Sequence, residues 1–305
     1  MKILITGGAG FIGSHAAERL VRDGHQVAIL DNLRSGNTAN LPPKAEFLEM
    51  DLKDPRMPAV LERLRPEAIL HCAAQIDVRV SCKDPVFDAE ENILCTLRLL
   101  EAGLAAGLQR FVFASSGGAI YGEASGAQDE GHPEVPINPY GVAKLAVDKY
   151  LHAYSLQRGI RACSLRFANA YGPRQGSRGE AGVVAVFCKR LRQGLAPVIN
   201  GDGLQTRDFV HAADLAEAVG LVLERGTTGV VNLGTGVETS ILDLARNLCR
   251  QAGVDPAGIR HEPGIPGEQR RSLLDPSKAL AVLGWKARTA IEAGLAETYG
   301  WFKEN

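Results

Sequence analysis

The chain has 305 residues, enough for a large buried core. Its 34 Lys+Arg balance 35 Asp+Glu, so no net field favours nucleic acid or an anionic membrane surface, and a small-molecule partner is expected. No stretch reaches roughly 18 uninterrupted apolar residues, and the opening MKILIT enters an apolar strand without a leader-type run, which points to a cytoplasmic protein and not a membrane one.

In chain order, KILIT predicts a first strand and the residues from Phe11 to about Asp23 a helix. QVAIL and AEFLEM follow as strands, then a helix near Pro55 to Arg65 and the strand EAILHC. A helix from about Val86 to Ala106, the strand RFVFASS, a helix from about Pro139 to Gln157 and the strand RACSLRF complete the series. These apolar runs do not alternate with polar residues, so the strands are expected to be buried on both faces of a parallel sheet with helices on either side. After Arg166 the loops turn rich in Gly and Pro (YGPRQGSRGEAG, INGDGLQTRD, HEPGIPGEQRR). The expected organisation is a dinucleotide-binding unit over 1–166 and a smaller α/β substrate-binding region over 167–305, with 206–236 returning to the main sheet. The six cysteines lack CxxC or zinc-type spacing and sit largely in apolar runs, so they are read as reduced packing residues, and no metal is expected.

Gly7-x-x-Gly10-x-x-Gly13 stands directly after the first strand and opens the first helix. Glycines there allow the tight turn and let backbone approach a pyrophosphate, which rests on the positive helix N-terminus. The acidic residue expected after the second strand is Asp31 in AILDN, suited to the ribose hydroxyls of NAD and repelling the extra phosphate of NADP. Arg34 nearby would favour NADP if it turned toward that phosphate; a solvated loop charge is the alternative. Asp51 and Leu52, then Ala73, Ala74 and Gln75, follow the third and fourth strands, where strand ends would meet the adenine and the nicotinamide ribose.

Tyr140 and Lys144 in PYGVAK lie four apart and share a helix face. An ammonium beside a phenol favours the phenolate, so the tyrosine can exchange a proton with a substrate hydroxyl near neutral pH. Upstream, RFVFASS delivers Ser115 and Ser116 to the carboxyl edge of the sheet, where ligands of open α/β folds bind.

Together TGGAGFIGSH, LDNL, HCAAQ, ASSGGAIYGE, PYGVAK, LRFANAYGPRQ and RDFVHAAD resemble the extended short-chain dehydrogenase/reductases, and within them the UDP-glucose 4-epimerase group. The resemblance runs through most of the chain and implies a Rossmann-type doubly wound sheet and NAD as cofactor. It implies Tyr140 as acid/base, Lys144 as its tuning residue and hold on the nicotinamide ribose, and Ser116, or alternatively Ser115, as the assisting serine. Phe11, Ile12, Asn32 and Ser115 fall among its cofactor contacts, and Asn92 on the cofactor side of the site. Asn169, Arg207 and Glu268 fall on the substrate side, with Arg207 gripping the diphosphate through its fork of donors. In the last loop relatives often read Arg-Pro-Gly-Asp/Glu, whereas this chain has Ile265, Pro266, Gly267 and Glu268; the phosphate-binding arginine is replaced, and Arg270 or Arg271 could substitute.

The implied reaction is reversible oxidation at C4 of a UDP-hexose with rotation of the 4-keto sugar, giving UDP-galactose/UDP-glucose epimerisation. Dehydratase relatives carry an Asp-Glu pair just after the active-site Ser/Thr; here Gly117-Gly118 can supply neither acid nor base. Ser272 falls where some relatives have a tyrosine against the sugar, which suggests room for N-acetylated hexoses. A UDP-uronic acid or dTDP-sugar is the alternative substrate, with Arg174, Arg178, Arg270 and Arg271 available to a sugar carboxylate. A non-catalytic NAD-binding regulator is the alternative of another class. Apolar residues on more than one face of the helices at 86–106 and 139–157 suggest a homodimer, as in related enzymes; packing of both helices on the sheet is the plain alternative.

Overall fold

The computed structural model describes residues 1–123, 125–176, 182–264 and 268–305. Strands β1 (Lys2–Thr6), β2 (Gln26–Asp31), β3 (Glu46–Glu49), β4 (Ala68–His71), β5 (Arg110–Ser116) and β6 (Arg161–Phe167) form a sheet in the order β3-β2-β1-β4-β5-β6, which Gly229–Leu233 extends beyond β6. Every neighbour pair is parallel. The chain winds one way from β1 to β3 and the other way from β4 onward. The crevice of such a doubly wound sheet therefore opens between β1 and β4, at their carboxyl ends.

Helices cover both faces. On one side α1 (Phe11–Arg22) packs with Ala212–Arg225 over Ile3, Ile5, Val112, Leu165 and Val231. On the other, α2 (Met57–Leu64), α5 (Cys95–Ala105) and α7 (Pro139–Arg158) cover Leu4, Ile69, Phe111 and Phe113. Alternate residues of β5 thus serve opposite layers, as strand geometry requires. Between β4 and α5 lie α3 (Val78–Lys83) and α4 (Pro85–Ala89), followed by a π-helical turn at Glu90–Leu94. The periodicity over 86–106 predicts one regular helix; the π turn inserts a residue into it and changes its phase.

The remaining chain builds a second core around Tyr171, Phe187, Leu244, Leu248, Leu295 and Phe302. Of the segment expected to return to the main sheet, Ala212–Arg225 and Gly229–Leu233 do so, whereas Thr206–His211 pairs with β7 (Asn169–Tyr171), Glu238–Ser240 and Arg271–Ser272 in a separate sheet. All six cysteines are free; Cys82 is exposed, unlike buried Cys95, Cys163, Cys188 and Cys249. Among the described residues no helix is long and apolar enough to cross a membrane.

Candidate active site

The glycine turn has no room for side chains. Gly7 has φ +69°, and a Cβ there would lie 2.6 Å from the backbone nitrogen of Ala73; at Gly13 it would lie 2.2 Å from the carbonyl oxygen of Gly7. β1, the loop after β4 and the first turn of α1 therefore touch backbone to backbone. Gly10 caps α1 without a side-chain acceptor, and Phe11 and Ile12 begin the helix half-buried. A backbone cradle at a helix N-terminus, facing the switch point, is the shape a dinucleotide pyrophosphate fits.

Asp31 ends β2, buried, with Oδ2 accepting from Ala9 N at 3.0 Å and Oδ1 from Leu33 N at 2.9 Å. These bonds fix the carboxylate and leave each oxygen a further lone pair for a ribose hydroxyl. Arg34 stands 5.9 Å from the ring centroid of Phe87. Asn32 donates to Asp51 Oδ2 at 2.8 Å. Burial works against the Asp51 charge, but the Lys53 N–H and the Asn32 amide outweigh it and hold the carboxyl below its ordinary value. Leu52 packs against the core under α2 and α5.

After β4, Ala73 meets the glycine turn and Gln75 is held from below. Asn92, buried in the π turn, accepts from Gln75 N at 2.9 Å and donates to Gln75 O at 2.9 Å and Asp88 Oδ1 at 3.0 Å. The Asn92 side chain thus shapes the loop over Ala74 and Gln75.

α7 opens on Asn138, whose side chain accepts from Gly141 N at 2.8 Å, with Pro139 in the first turn. Lys144 is 3% exposed; its Nζ donates to Ala114 O at 2.8 Å and lies 4.5 Å from the Phe113 centroid and 5.6 Å from that of Tyr140. Burial lowers its pKa to about 8, against the opposing pull of Cys72, Asp148 and Asp88. Strand alternation separates the two serines. Ser115 is buried on the side of Phe113, while Ser116, half-buried on the other side, stands at the N-terminus of α6 (Gly117–Ile120).

Across the crevice, a Cβ on Gly118 would lie 3.8 Å from both Asn169 Oδ1 and Ser272 Oγ, so these three residues converge on one spot. At Gly117 a Cβ would strike Leu274 at 2.6 Å. Arg207 is largely buried, donating to Thr206 O at 2.8 Å and facing Glu268 Oε1 at 3.5 Å. The two residues expected on the substrate side thus pair with each other. Arg174 pairs with Glu18 at 2.6 Å, Arg270 with Asp202 at 2.9 Å and Arg271 with Glu238 at 2.6 Å, so all three cations are committed to carboxylates of this chain. Arg178 and Ile265, Pro266 and Gly267 lie outside the described residues.

A buried polar cluster lies behind this site. Arg166 on β6 is fully buried and donates to Asp148 Oδ2 (2.9 Å), the Tyr121 hydroxyl (2.9 Å) and Glu134 Oε1 (2.5 Å); Tyr121 donates on to Asn232 Oδ1 (2.8 Å). A signal was available: an arginine inside an apolar strand, and an aspartate four residues beyond Lys144 on the same helix face.

A glycine cradle at the switch point of a parallel sheet, with a tyrosine-lysine pair at the carboxyl end of β5, defines a dinucleotide-dependent α/β enzyme. Residues 3–234 match the NAD dependent epimerase/dehydratase family, and the chain belongs to it. It is 41% identical over 304 residues to a putative UDP-glucose 4-epimerase of Methanocaldococcus jannaschii, covering 99% of each chain. The structure of UDP-glucose 4-epimerase from Thermotoga maritima with UDP-glucose superposes with a TM-score of 0.96 at 41% identity, covering 100% of this chain and 99% of that one. The Thermus thermophilus UDP-glucose 4-epimerase complex with NAD gives 0.94 at 40% identity, with 99% of each chain covered. Relatives at 33% and 34% identity include dTDP-glucose 4,6-dehydratases of Actinoplanes sp. and Streptomyces niveus. The protein is an extended short-chain dehydrogenase/reductase resembling the UDP-glucose 4-epimerases, and its cofactor is NAD.

Proposed function

We propose that the protein interconverts UDP-galactose and UDP-glucose by epimerisation at C4. The observation that carries this reading is the Tyr140–Lys144 pair at the end of β5, next to a Gly117-Gly118 turn that offers no acid or base for eliminating water. Tyr140, as phenolate beside the Lys144 ammonium, accepts the proton of the C4 hydroxyl, and Ser116 hydrogen-bonds the same oxygen. Bound NAD supplies the acceptor, and later the donor, of the C4 hydride. After the 4-keto sugar turns over, Tyr140 returns its proton to the oxygen on the opposite face, so neither protons nor electrons are consumed. Asn169 and Arg207 hold the diphosphate, with Glu268 releasing Arg207 as the anion arrives. Gly7, Gly10 and Gly13 cradle the cofactor, and Asp31 takes its adenosine ribose. Proton NMR of the purified protein with UDP-galactose and no added NAD tests the reading; UDP-glucose should appear, and silence that persists after NAD is added would overturn it.

Ser272 and Gly118 leave the sugar pocket small-walled near Asn169, which supports tolerance of the N-acetylated hexoses. Replacing Ser272 by tyrosine should cut kcat/KM for UDP-N-acetylgalactosamine at least tenfold more than for UDP-galactose, a difference of about 1.4 kcal/mol. Equal losses on both substrates would remove Ser272 from specificity. The commitment of Arg174, Arg270 and Arg271 to internal carboxylates speaks against a uronic acid substrate.

A homodimer is part of the same reading. Val86 and Leu94 on one segment and Val142 and Tyr150 on α7 are exposed, and the two segments pack side by side. Apolar side chains on adjoining helices suit a second copy of the same surface. Light scattering should give twice the chain mass, and Val142→Glu should shift it toward monomer.

A further inference from the structure

Tyr140, Lys144 and Asp148 succeed one another at four-residue spacing along one face of α7. Asp148 is buried and accepts from Arg166 Nε at 2.9 Å. Arg166 also donates to the hydroxyl of Tyr121, the residue that follows α6, and α6 is the element capped by Ser116. One guanidinium on β6 therefore ties the helix bearing Tyr140 and Lys144 to the turn bearing Ser116. A buried ion pair is a poor source of stability, because desolvation of two charges offsets most of their attraction. Its location one turn behind Lys144 suggests what it does instead.

We infer that Asp148 is a positioning residue of the acid/base site, fixing the Ser116–Tyr140–Lys144 arrangement through Arg166 and holding Lys144 in its ammonium form. This rests on the assignment of Tyr140 and Lys144 made above. The groups facing Lys144 are Tyr140 and Asp148 on its own helix, Asp88 on α4, His71 and Cys72 at the end of β4, and the Phe113 ring and Ala114 carbonyl of β5. Asp148 and Asp88 are the two carboxylates of that set. Burial lowers the Lys144 pKa to about 8, and the Asp148 charge opposes the fall. Burial raises the Asp148 carboxyl itself, against the pull of Arg166 and Ser164, and the direct bond from the guanidinium favours the carboxylate. Loss of the Asp148 charge would also leave Arg166 with Glu134 as its one carboxylate partner among the described residues, adding positive potential behind Lys144. Both effects favour neutral Lys144. Activity that needs the ammonium is present below the Lys144 pKa and is lost as pH rises through it, so neutralising Asp148 should bring that loss to lower pH.

The test compares pH profiles of kcat for the wild type, Asp148→Asn and Asp148→Glu, each purified with its cofactor. Asp148→Asn should move the alkaline limb down by on the order of one pH unit and lower kcat about fivefold at pH 8, with KM changed less than twofold. Asp148→Glu should restore most of the limb. A second reading is ultraviolet titration of Tyr140, as the difference between each protein and its Tyr140→Phe counterpart; the phenolate signal should weaken in Asp148→Asn over the same pH range. A folded Asp148→Asn protein with an unmoved alkaline limb and unchanged phenolate titration would overturn the inference, even if its thermal stability falls. If Asp148→Asn does not fold, Ser164→Ala serves instead, removing a hydroxyl that favours the ionised form of Asp148; a smaller shift in the same direction is expected, and no shift would overturn the inference. Full activity in Tyr140→Phe would instead sink the acid/base assignment, leaving the Lys144–Asp148 coupling readable by the Asp148→Asn limb alone.

Discussion

Replacing Tyr140 by phenylalanine should lower the rate of UDP-galactose epimerisation by about 10²- to 10⁴-fold, the usual contribution of a positioned acid/base group. The substitution removes one oxygen and leaves the ring 5.6 Å from Lys144 and the α7 backbone undisturbed, so the change belongs to chemistry and not to folding. Initial rates followed by NMR, alongside the NAD content and thermal midpoint of the same preparation, separate the two. A variant that keeps its NAD and midpoint but has lost turnover fits the proposed role. One that turns over normally would move the proton-transfer role elsewhere, with Ser116 the next residue in reach of the same oxygen.

The second large effect is expected at Gly13. An alanine there would place a methyl 2.2 Å from the Gly7 carbonyl oxygen and 2.8 Å from the Gly8 Cα. Neither neighbour is a flexible side chain, so the turn itself must move. Overpacking of this kind costs about 1–3 kcal/mol, and the shift falls on the backbone expected to cradle the pyrophosphate. The purified Gly13→Ala protein should therefore lack bound NAD, measured by absorbance after acid extraction. Gly24→Ala is the control. Gly24 has φ +84°, but nothing lies within 4 Å of its Cβ position, so only the backbone penalty of about 1–2 kcal/mol applies and NAD should be retained. Equal NAD loss in both variants would mean that general destabilisation, and not the cradle, governs binding.

The features legible in the sequence are those set by local chemistry. An apolar, non-alternating strand followed by spaced glycines and an amphipathic helix leaves little choice of structure, and β1, α1 and the acidic end of β2 fall where those patterns put them. The same holds for α7, where Asn138 and Pro139 form a helix start that residue type alone discloses. What the sequence concealed depends on partners far along the chain. Arg174, Arg270 and Arg271 look available to a substrate until Glu18, Asp202 and Glu238 are folded against them. Arg166 in its apolar strand and Asp148 four residues beyond Lys144 stand out singly, but only the packing of α7 on β6 shows that they are partners. Ser115 and Ser116 are equivalent by residue type; the pleat of β5 sends them to different layers.

The π turn at Glu90–Leu94 makes a prediction of its own about insertions and deletions. A wider turn holds one residue more than an α-helix of the same length needs, so this segment could lose a residue and become more regular. Removing a residue between Asp88 and Asn92 would rotate Asp88 and the chain before it by about 100° relative to Asn92 and α5, breaking the bonds of Asn92 to Gln75 and Asp88. The helix would gain regular hydrogen bonding while the loop after β4 lost its floor. In lineages of this chain, length at this point should thus be held more tightly than residue identity on the helix's outer face, and a single-residue deletion here should uncouple helix regularity from cofactor retention.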